Sequence, residues 1–147
     1  MNKGHSRTSI FLMEIIISVL LFSLSTAVCA KLFVNTHLRS ERTRELNHAV
    51  TETQTIIETI RGTADDSFDE AATILSNMYM TAVISQTSDH FEAHIFYDKD
   101  FKPCNAGVQM YTADVRASYE GSFCNMTVDI VTENDMIYSI NTMKYIP

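Results

Sequence analysis

Glycine and proline are scarce in this chain of 147 residues, which contains four glycines and two prolines. Neither residue occurs between positions 10 and 61, so nothing in that stretch interrupts a helix. Basic residues are scarce in residues 62–147, where four lysines and arginines stand against thirteen acidic residues, a net charge of −9. Residues 1–61 carry a net charge of +2, and the acidic remainder argues against nucleic acid as a partner. Internal repeats and low-complexity tracts are also lacking, which predicts one small head after one long helix.

Catalytic motifs are missing as well. We find no activated nucleophile, phosphate-binding loop or metal-ligand cluster, so we predict that the chain is not an enzyme and holds no cofactor. His90 and His94 have the spacing of a metal pair, but on a strand their side chains stand about 13 Å apart, which predicts surface histidines. Asp98 and Asp100 could bind calcium in a hairpin loop, although two acids in a turn are more often ordinary turn residues.

The most informative segment is an apolar run over residues 10–30, whose single charged residue is Glu14. As a helix this run is about 31 Å long, which matches the hydrocarbon thickness of a bilayer and predicts a transmembrane helix. An ionised carboxylate inside a membrane is costly and usually has a partner, so Glu14 is a candidate functional residue. In the alternative interpretation, Glu14 lies about one turn inside the run and snorkels to the headgroups of an ordinary anchor.

The residues before the apolar run predict its orientation. Lys3 and Arg7 make residues 1–9 a basic leader, which predicts a cytoplasmic N-terminus and an extracytoplasmic C-terminal part. The same leader, with the small residues at positions 26–30, also fits a cleaved secretory signal. We favour a membrane anchor because the apolar run is long for a signal and helical character continues well past that cleavage position.

Residues 31–61 continue the helix as an amphipathic segment. Apolar and small residues recur there at steps of three and four, and charged residues occupy a face that we expect to be solvated. Gly62 is expected to end the helix, which then has about 50 residues. Its first half is expected to lie in lipid and its second half to belong to the head. The stripe comprises Leu46, Ala49, Val50, Thr53, Ile56, Ile57 and Ile60, and the charged face comprises Arg39, Glu41, Arg42, Arg44, Glu45, Glu52 and Glu58.

Residues 62–147 form the head. Asp65, Asp66 and Ser67 precede a short capped helix predicted over residues 68–79. Alternation of apolar and polar residues then predicts strands, and the short turns between the last of them indicate an antiparallel meander. About 85 residues make a marginal core, so we expect the amphipathic half of the long helix to pack on the sheet in an α+β fold. The strands are predicted over residues 91–97, 111–119, 124–130 and 136–146.

The chain has three cysteines. Cys29 lies in the apolar run and is expected to be a small buried side chain. Cys104 and Cys124 are candidates for a disulfide if the head is extracytoplasmic, although a hairpin centred near Gly121 places Cys124 opposite Ser118. The sequence leaves a disulfide and two free thiols open as alternatives.

The N-terminal third, with its basic leader, long apolar helix and Glu14, resembles the prepilin signature of type IV pilins and of the pseudopilins of type II secretion systems. In that family a glutamate stands fifth in the mature chain, so the resemblance implies cleavage by a prepilin peptidase between Ser9 and Ile10. The family usually has glycine before that bond and phenylalanine after it, whereas this chain has Ser9 and Ile10. If the leader is retained, the chain is an anchored accessory protein instead of a polymer subunit. The implied architecture is pilin-like, a long helix packed on a β-meander.

The resemblance implies that the chain is a structural subunit of a type IV pilus-like or type II secretion-like filament, with other pilin-like subunits as partners. Glu14 is then expected to pair with the amino terminus of a neighbouring subunit while the apolar helices bundle into the filament core. An adjacent ammonium group would favour the charged carboxylate and fix an axial register that apolar contacts alone leave free. The alternative is a single-pass membrane protein whose acidic head binds a ligand or a partner protein.

Overall fold

One long helix, α1 (Gly4–Thr63), opens the fold, and a short helix, α2 (Asp69–Met78), follows it. The structure is a computed structural model that describes residues 4–63 and 67–146, so the predicted capping residues Asp65 and Asp66 lie outside the described residues. An antiparallel sheet follows the helices, which confirms the predicted α+β class. Its strands are β1 (Val83–Gln86), β2 (His90–Tyr97), β3 (Tyr111–Glu120), β4 (Phe123–Val131) and β5 (Met136–Tyr145).

The chain forms two compact units, Met1–Thr43 and Arg44–Pro147, which we call the N-terminal unit and the C-terminal unit. In the N-terminal unit, every side chain from residue 8 onward is exposed. The C-terminal unit holds the second half of α1, the short helix and the sheet, and it contains the hydrophobic core.

The sheet is a meander in which each strand pairs with its neighbour in sequence, in the order β1-β2-β3-β4-β5. The four longer strands lie close to their predicted positions, and β1 was not predicted. The β3–β4 turn consists of Gly121 and Ser122, with Gly121 at a φ of 63°, a conformation that glycine adopts without strain. Cys124 therefore lies opposite Tyr119, so the predicted pairing with Ser118 is wrong by one residue, because the turn has two residues.

The second half of α1 and one face of the sheet share a single core, as the amphipathic pattern predicts. Ile56 and Ile60 are fully buried, and Leu46, which the pattern placed in the stripe, is 41% exposed. The helix ends at Thr63, one residue past the predicted stop. On the sheet, inward residues alternate with outward ones as expected for one covered face. The core strand residues include Phe91, Ile95, Val115, Met126, Val128 and Ile130.

The helix α2 covers part of the same core with Ala71, Ala72 and Leu75. It begins at Asp69, one residue later than predicted, and no side chain caps it. The Oγ of Ser67 lies 3.5 Å from the backbone nitrogen of Asp69, at the limit of hydrogen bonding. The residue at the cap position is Phe68, which is 1% exposed, so packing of this ring fixes the start of the helix instead of the expected polar cap.

Candidate functional site

The apolar part of α1 is exposed on every side. Its side chains include Ile10, Phe11 and Leu12 in succession, with exposures of 65%, 62% and 55%. Consecutive apolar residues point in different directions around a helix, so no face is reserved for water. The helix is long and apolar enough to cross a membrane, with a mean hydropathy of 2.2 in its most apolar window. This segment is therefore a candidate membrane span, and its surface is the largest unpartnered apolar surface that the structure describes.

The hydroxyl groups within this apolar segment are satisfied inside the helix. Ser18 donates to the carbonyl oxygen of Glu14 at 2.8 Å, and Ser23 donates to that of Val19 at 2.8 Å. Ser25 and Thr26 make the same bond to the carbonyl four residues earlier, each at 2.9 Å. Because lipid offers no hydrogen-bond partners, internal satisfaction of this kind lets serine and threonine enter a membrane.

The carboxylate of Glu14 is different from these hydroxyls. No side chain that the structure describes forms a hydrogen bond or ion pair with it. Lys31, the first basic residue after it, is 17 residues further along α1, about 25 Å by the helical rise. No charge-compensating partner for Glu14 therefore lies among the side chains that the structure describes. The candidate cleavage bond between Ser9 and Ile10 lies one turn earlier on the same helix.

The C-terminal unit contains a polar seam between α1 and the rest of that unit. The hydroxyl of Tyr111 donates to Oε1 of Glu45 at 2.9 Å. The hydroxyls of Tyr79 and Tyr97 both donate to Oε2 of Glu52, at 2.9 and 3.2 Å. The prediction that Glu45 and Glu52 lie on a solvated face is therefore wrong, because both side chains extend from the edge of the apolar stripe to tyrosine hydroxyls.

Two aromatic contacts continue this seam. The ring of His48, which lies between the two glutamates on α1, stacks on Phe101 with centroids 5.4 Å apart. Phe101 in turn stacks on Tyr111 at 4.1 Å. Its φ of 56° is a left-handed conformation that is unusual for a phenylalanine, and the ring is only 7% exposed. We conclude that packing against these two rings holds the loop in that conformation.

The tyrosines of the seam are kept in their neutral form. Burial, with the nearby charge of Glu52, raises the pKa of Tyr79 to about 12. Burial, with the hydrogen bond to Glu45, raises the pKa of Tyr111 to about 12. For Tyr97, burial and then the neighbouring Tyr79 and Glu52 raise the pKa far above its usual value. All three hydroxyls therefore remain hydrogen-bond donors at physiological pH.

The outer face of the sheet carries contacts between basic and acidic side chains. Nδ1 of His94 lies 2.7 Å from Oδ1 of Asp114, its direct cross-strand neighbour. The guanidinium of Arg116 and the hydroxyl of Ser139 both contact the carboxylate of Asp129, which is 8% exposed. His94 is therefore more than a solvated histidine, since it has a carboxylate partner that its strand register determines.

The turn that contains Asp98 and Asp100 is held by its own backbone. Oδ1 of Asp98 accepts hydrogen bonds from the backbone N–H of Asp100 at 2.8 Å and of Lys102 at 3.0 Å. These bonds, that from Lys102 first, lower the pKa of Asp98. Asp98 thus stabilises the turn as an aspartate commonly does. Within residues 4–63 and 67–146, no group of three metal-ligand side chains comes together.

The candidate disulfide between Cys104 and Cys124, which the sequence left open, is not formed in the structure. The backbone N–H of Cys104 donates to Phe96 at one end of the sheet, whereas Cys124 begins β4 at the other end. Seven residues of strand separate Cys124 from Val131, the β4 residue level with Phe96, which is about 23 Å. A disulfide needs Cα atoms within about 7 Å. Burial raises the pKa of both thiols, and nearby Lys144 partly offsets this for Cys124.

Comparison of this chain with protein-family models, with curated proteins and with solved structures gives no match. The strongest candidate site is the exposed apolar part of α1 with Glu14, because it combines a large unpartnered surface with a carboxylate that has no partner in the described chain.

Proposed function

We propose that the chain is a pilin-like structural subunit, which is held in a membrane by the first half of α1 and assembles into a filament through the same helix. The N-terminus is cytoplasmic in this proposal and the head is extracytoplasmic. The filament is of the type IV pilus or type II secretion kind, and the partners are other pilin-like subunits. No cofactor is required, because assembly is a binding process.

The observation that carries this proposal is Glu14, a carboxylate on an all-round apolar helix that has no partner among the side chains that the structure describes. Apolar contacts alone would hold such helices together in any register, since sliding changes little in the area that is buried. A carboxylate at one height supplies a preferred register if each neighbour presents a positive group there. Cleavage between Ser9 and Ile10 would create that group, an ammonium four residues before Glu14.

The C-terminal unit supports the proposal that assembly uses the first half of α1 and not the head. Its core is closed by the second half of α1, so the apolar surface that needs a partner is confined largely to residues 10–38. The residues of the head carry a net charge of −9, which keeps such a domain soluble beside a membrane. Assembly through the helix then leaves the sheet free.

The first experiment is to determine the intact mass and the N-terminal residue of the protein purified from its native membrane. A chain that begins at Ile10 supports processing by a prepilin peptidase and assembly through Glu14. A chain that retains residues 1–9 overturns the processed-subunit proposal and favours an anchored accessory protein. A chain that begins after Ala30 identifies a secreted domain, in which Glu14 has no role.

A matched pair of variants tests Glu14 directly. Glu14→Gln removes the charge at the candidate site, and Glu41→Gln removes a charge from an exposed position on the same helix outside the apolar run. We expect Glu14→Gln to lower the amount of sedimentable or cross-linked polymer from native membranes at least tenfold, and Glu41→Gln to leave it unchanged. Equal assembly of all three proteins would show that Glu14 is a snorkelling residue of an ordinary anchor.

The second candidate function is a single-pass membrane protein whose acidic head binds a partner. A groove of about 690 Å³ on the head favours this function, because Glu133 and Asp135 line it together with Gln109 and Met110. Such a protein needs neither cleavage nor polymerisation. Monomeric behaviour of the native protein in mild detergent, with the leader retained, would favour it over the filament subunit.

A further inference from the structure

The connection between β2 and β3 is much longer than the other connections of the sheet. It covers residues 98–110, thirteen residues, whereas the others cover residues 87–89, 121–122 and 132–135. Loops of this length are uncommon in a compact domain and are often functional. The loop is held against β2, because the N–H of Cys104 donates to the carbonyl oxygen of Phe96 and that of Met110 donates to Tyr97, each at 2.8 Å. It therefore has a defined position at the end of β2.

A groove of about 690 Å³ lies between the last part of this loop and the turn before β5. Its volume is in the range of ligand-binding pockets, and all of its lining residues belong to the C-terminal unit. The loop and the start of β3 contribute Gly107, Gln109, Met110 and Thr112, and the turn contributes Thr132, Glu133, Asn134 and Asp135.

The turn before β5 is closed by its own hydrogen bonds. The N–H of Thr132 donates to the carbonyl oxygen of Asp135 at 2.7 Å, and the N–H of Asp135 donates to the hydroxyl of Thr132 at 3.0 Å. Neither bond uses the carboxylate of Asp135. Within residues 4–63 and 67–146, no hydrogen bond or ion pair joins the carboxylates of Glu133 and Asp135 to another residue. A well-held turn thus presents two carboxylates whose hydrogen-bonding capacity is unused.

No lysine, arginine or histidine of the described chain lines the groove. The four lysines and arginines of the head lie elsewhere. Lys99 and Lys102 precede the first lining residue by five or more positions, and the guanidinium of Arg116 contacts Asp129. Lys144 lies nine residues beyond the turn along β5, which is about 30 Å. The negative charge of the groove is therefore uncompensated by its lining, which favours a cation and disfavours an anion.

Apolar side chains border the two carboxylates. Met110, which is 51% exposed, lines the groove, and the exposed Val108 and Met136 directly adjoin lining residues in sequence. A bare metal ion would leave these side chains uncovered, and in the part of the chain that the structure describes no three metal-ligand side chains come together. A ligand that satisfies both surfaces carries its positive charge on an apolar stem, as the side chains of arginine and lysine do.

Two features select an arginine on a polypeptide. A guanidinium has five N–H donors in one plane, which suits two carboxylates better than a compact ammonium does. The groove is also open, since Gln109, Met110, Glu133 and Asp135 are all exposed, so a small free cation would keep most of its contact with water. A polypeptide brings further surface over the groove, which excludes water and strengthens the contact between the charges.

We infer that this groove of the head binds a polypeptide segment that carries an arginine next to an apolar side chain. The guanidinium contacts Glu133 and Asp135, and the apolar side chain packs against Met110. This inference rests on the second candidate function, in which the head binds a partner, and it adds the chemistry by which that partner is recognised.

The test uses the full chain in micelles of an uncharged detergent, with NMR to follow backbone amides. The probe is a synthetic pentapeptide with blocked ends, in the order serine, arginine, valine, arginine, serine. We expect saturable shifts at Gly107, Gln109, Glu133 and Asp135. The same peptide with citrulline, an uncharged residue of similar shape, in place of arginine should bind at least tenfold more weakly. Absence of binding by the arginine peptide, or equal binding by both peptides, would overturn the inference.

Arginine amide distinguishes a polypeptide from a small free cation. It carries the same guanidinium without the rest of the peptide, and we expect it to bind at least tenfold more weakly than the arginine peptide. Equal affinities would show that the groove takes a small organic cation, which overturns the inferred partner.

A matched pair of double variants locates the binding site. Glu133→Gln with Asp135→Asn removes two charges from the groove and leaves the backbone bonds of the turn in place. Glu70→Gln with Glu92→Gln removes the same charge from exposed positions elsewhere in the head. We expect the first double variant to bind the arginine peptide at least tenfold more weakly and the second to bind it within twofold of the wild type. Equal weakening of both would show that the peptide responds to the net charge of the head and not to the groove.

These measurements do not depend on cleavage, on filament formation or on Glu14. Binding of the peptide by a chain that polymerises in its native membrane would contradict the second candidate function and leave the groove as a binding site. A native protein that is monomeric with its leader retained, but does not bind the peptide, would support that function and overturn the inference.

Discussion

Glu52 is the residue whose role differs most from its prediction. Its position on α1 predicts a solvated charge, yet its carboxylate accepts hydrogen bonds from tyrosines 27 and 45 residues further along the chain. Helical periodicity shows on which face of a helix a residue lies. It does not show that a long side chain at the border of that face reaches hydroxyls on another element.

Substitution of Glu52 tests the polar seam. Glu52→Ala leaves the hydroxyls of Tyr79 and Tyr97 without their acceptor, and we expect a loss of about 1–3 kcal/mol in the free energy of unfolding. Glu58→Ala, at an exposed position of α1, should change it by less than about 0.5 kcal/mol. Urea unfolding of the full chain in detergent, followed by circular dichroism, measures both. Equal effects of the two substitutions would contradict the role given to Glu52.

The same seam predicts a loss of stability in alkali. The pKa values of Tyr79 and Tyr111 are raised from 10.0 to about 12 in the folded chain. The folded state therefore binds protons more tightly than the unfolded state, so this contribution is complete below pH 10 and falls as the pH rises to about 12. We expect the urea midpoint to decrease between pH 10 and 12. The double variant Tyr79→Phe, Tyr111→Phe should show a smaller decrease, and an identical decrease would exclude these tyrosines as its cause.

At the scale of elements, the hydrophobic pattern of the sequence predicts the long elements, in which one face is buried, and it misses the shortest strand. The long helix and the four longer strands each repeat their hydrophobic pattern several times, so they can be recognised in the sequence. Strand β1 has only four residues, Val-Ile-Ser-Gln, too few to show an alternation. Residues 83–86 form a strand because their backbone pairs with β2. The local sequence pattern does not show this pairing.

The second half of α1 gives a prediction at this scale. Ile60 is fully buried in the shared core, whereas Leu46, a member of the same predicted stripe, is 41% exposed. Ile60→Ala should therefore lower the free energy of unfolding by about 2–5 kcal/mol. Leu46→Ala should lower it by less than about 1 kcal/mol. Chemical unfolding of both variants checks this difference, and similar losses would show that the stripe extends to residue 46 as the sequence suggests.

At the scale of the whole molecule, the sheet separates residues whose pairing the sequence left open. Cys104 and Cys124 belong to opposite ends of the sheet, and this follows from the register of three strands, none of which is visible from the spacing of the cysteines. The candidate assembly residue Glu14 is the opposite case. An acidic residue in an apolar run can be recognised from the sequence alone, because such residues are rare in membrane-spanning helices.

The separation of the cysteines predicts their chemistry. Without any reductant, the denatured chain should take up three equivalents of iodoacetamide, one for each free thiol. In the folded chain Cys104, which is half-buried, should react at least tenfold faster than Cys124, which is 0% exposed. Mass spectrometry of digested samples measures both. Uptake of the second and third equivalents only after reduction would show that a disulfide forms in the native protein.

The order of strands in the sheet has a consequence for how the protein acquires its structure. Because every strand pairs with the one next to it in sequence, each step of sheet formation closes a loop of at most thirteen residues, and its entropic cost is small beside that of pairing distant segments. Pairings between neighbouring segments form faster than pairings between distant ones. The contacts between α1 and the sheet span far more of the chain, 66 residues in the case of Glu45 and Tyr111. We therefore expect the sheet to form first and the helix to dock on it in a later step that closes the core.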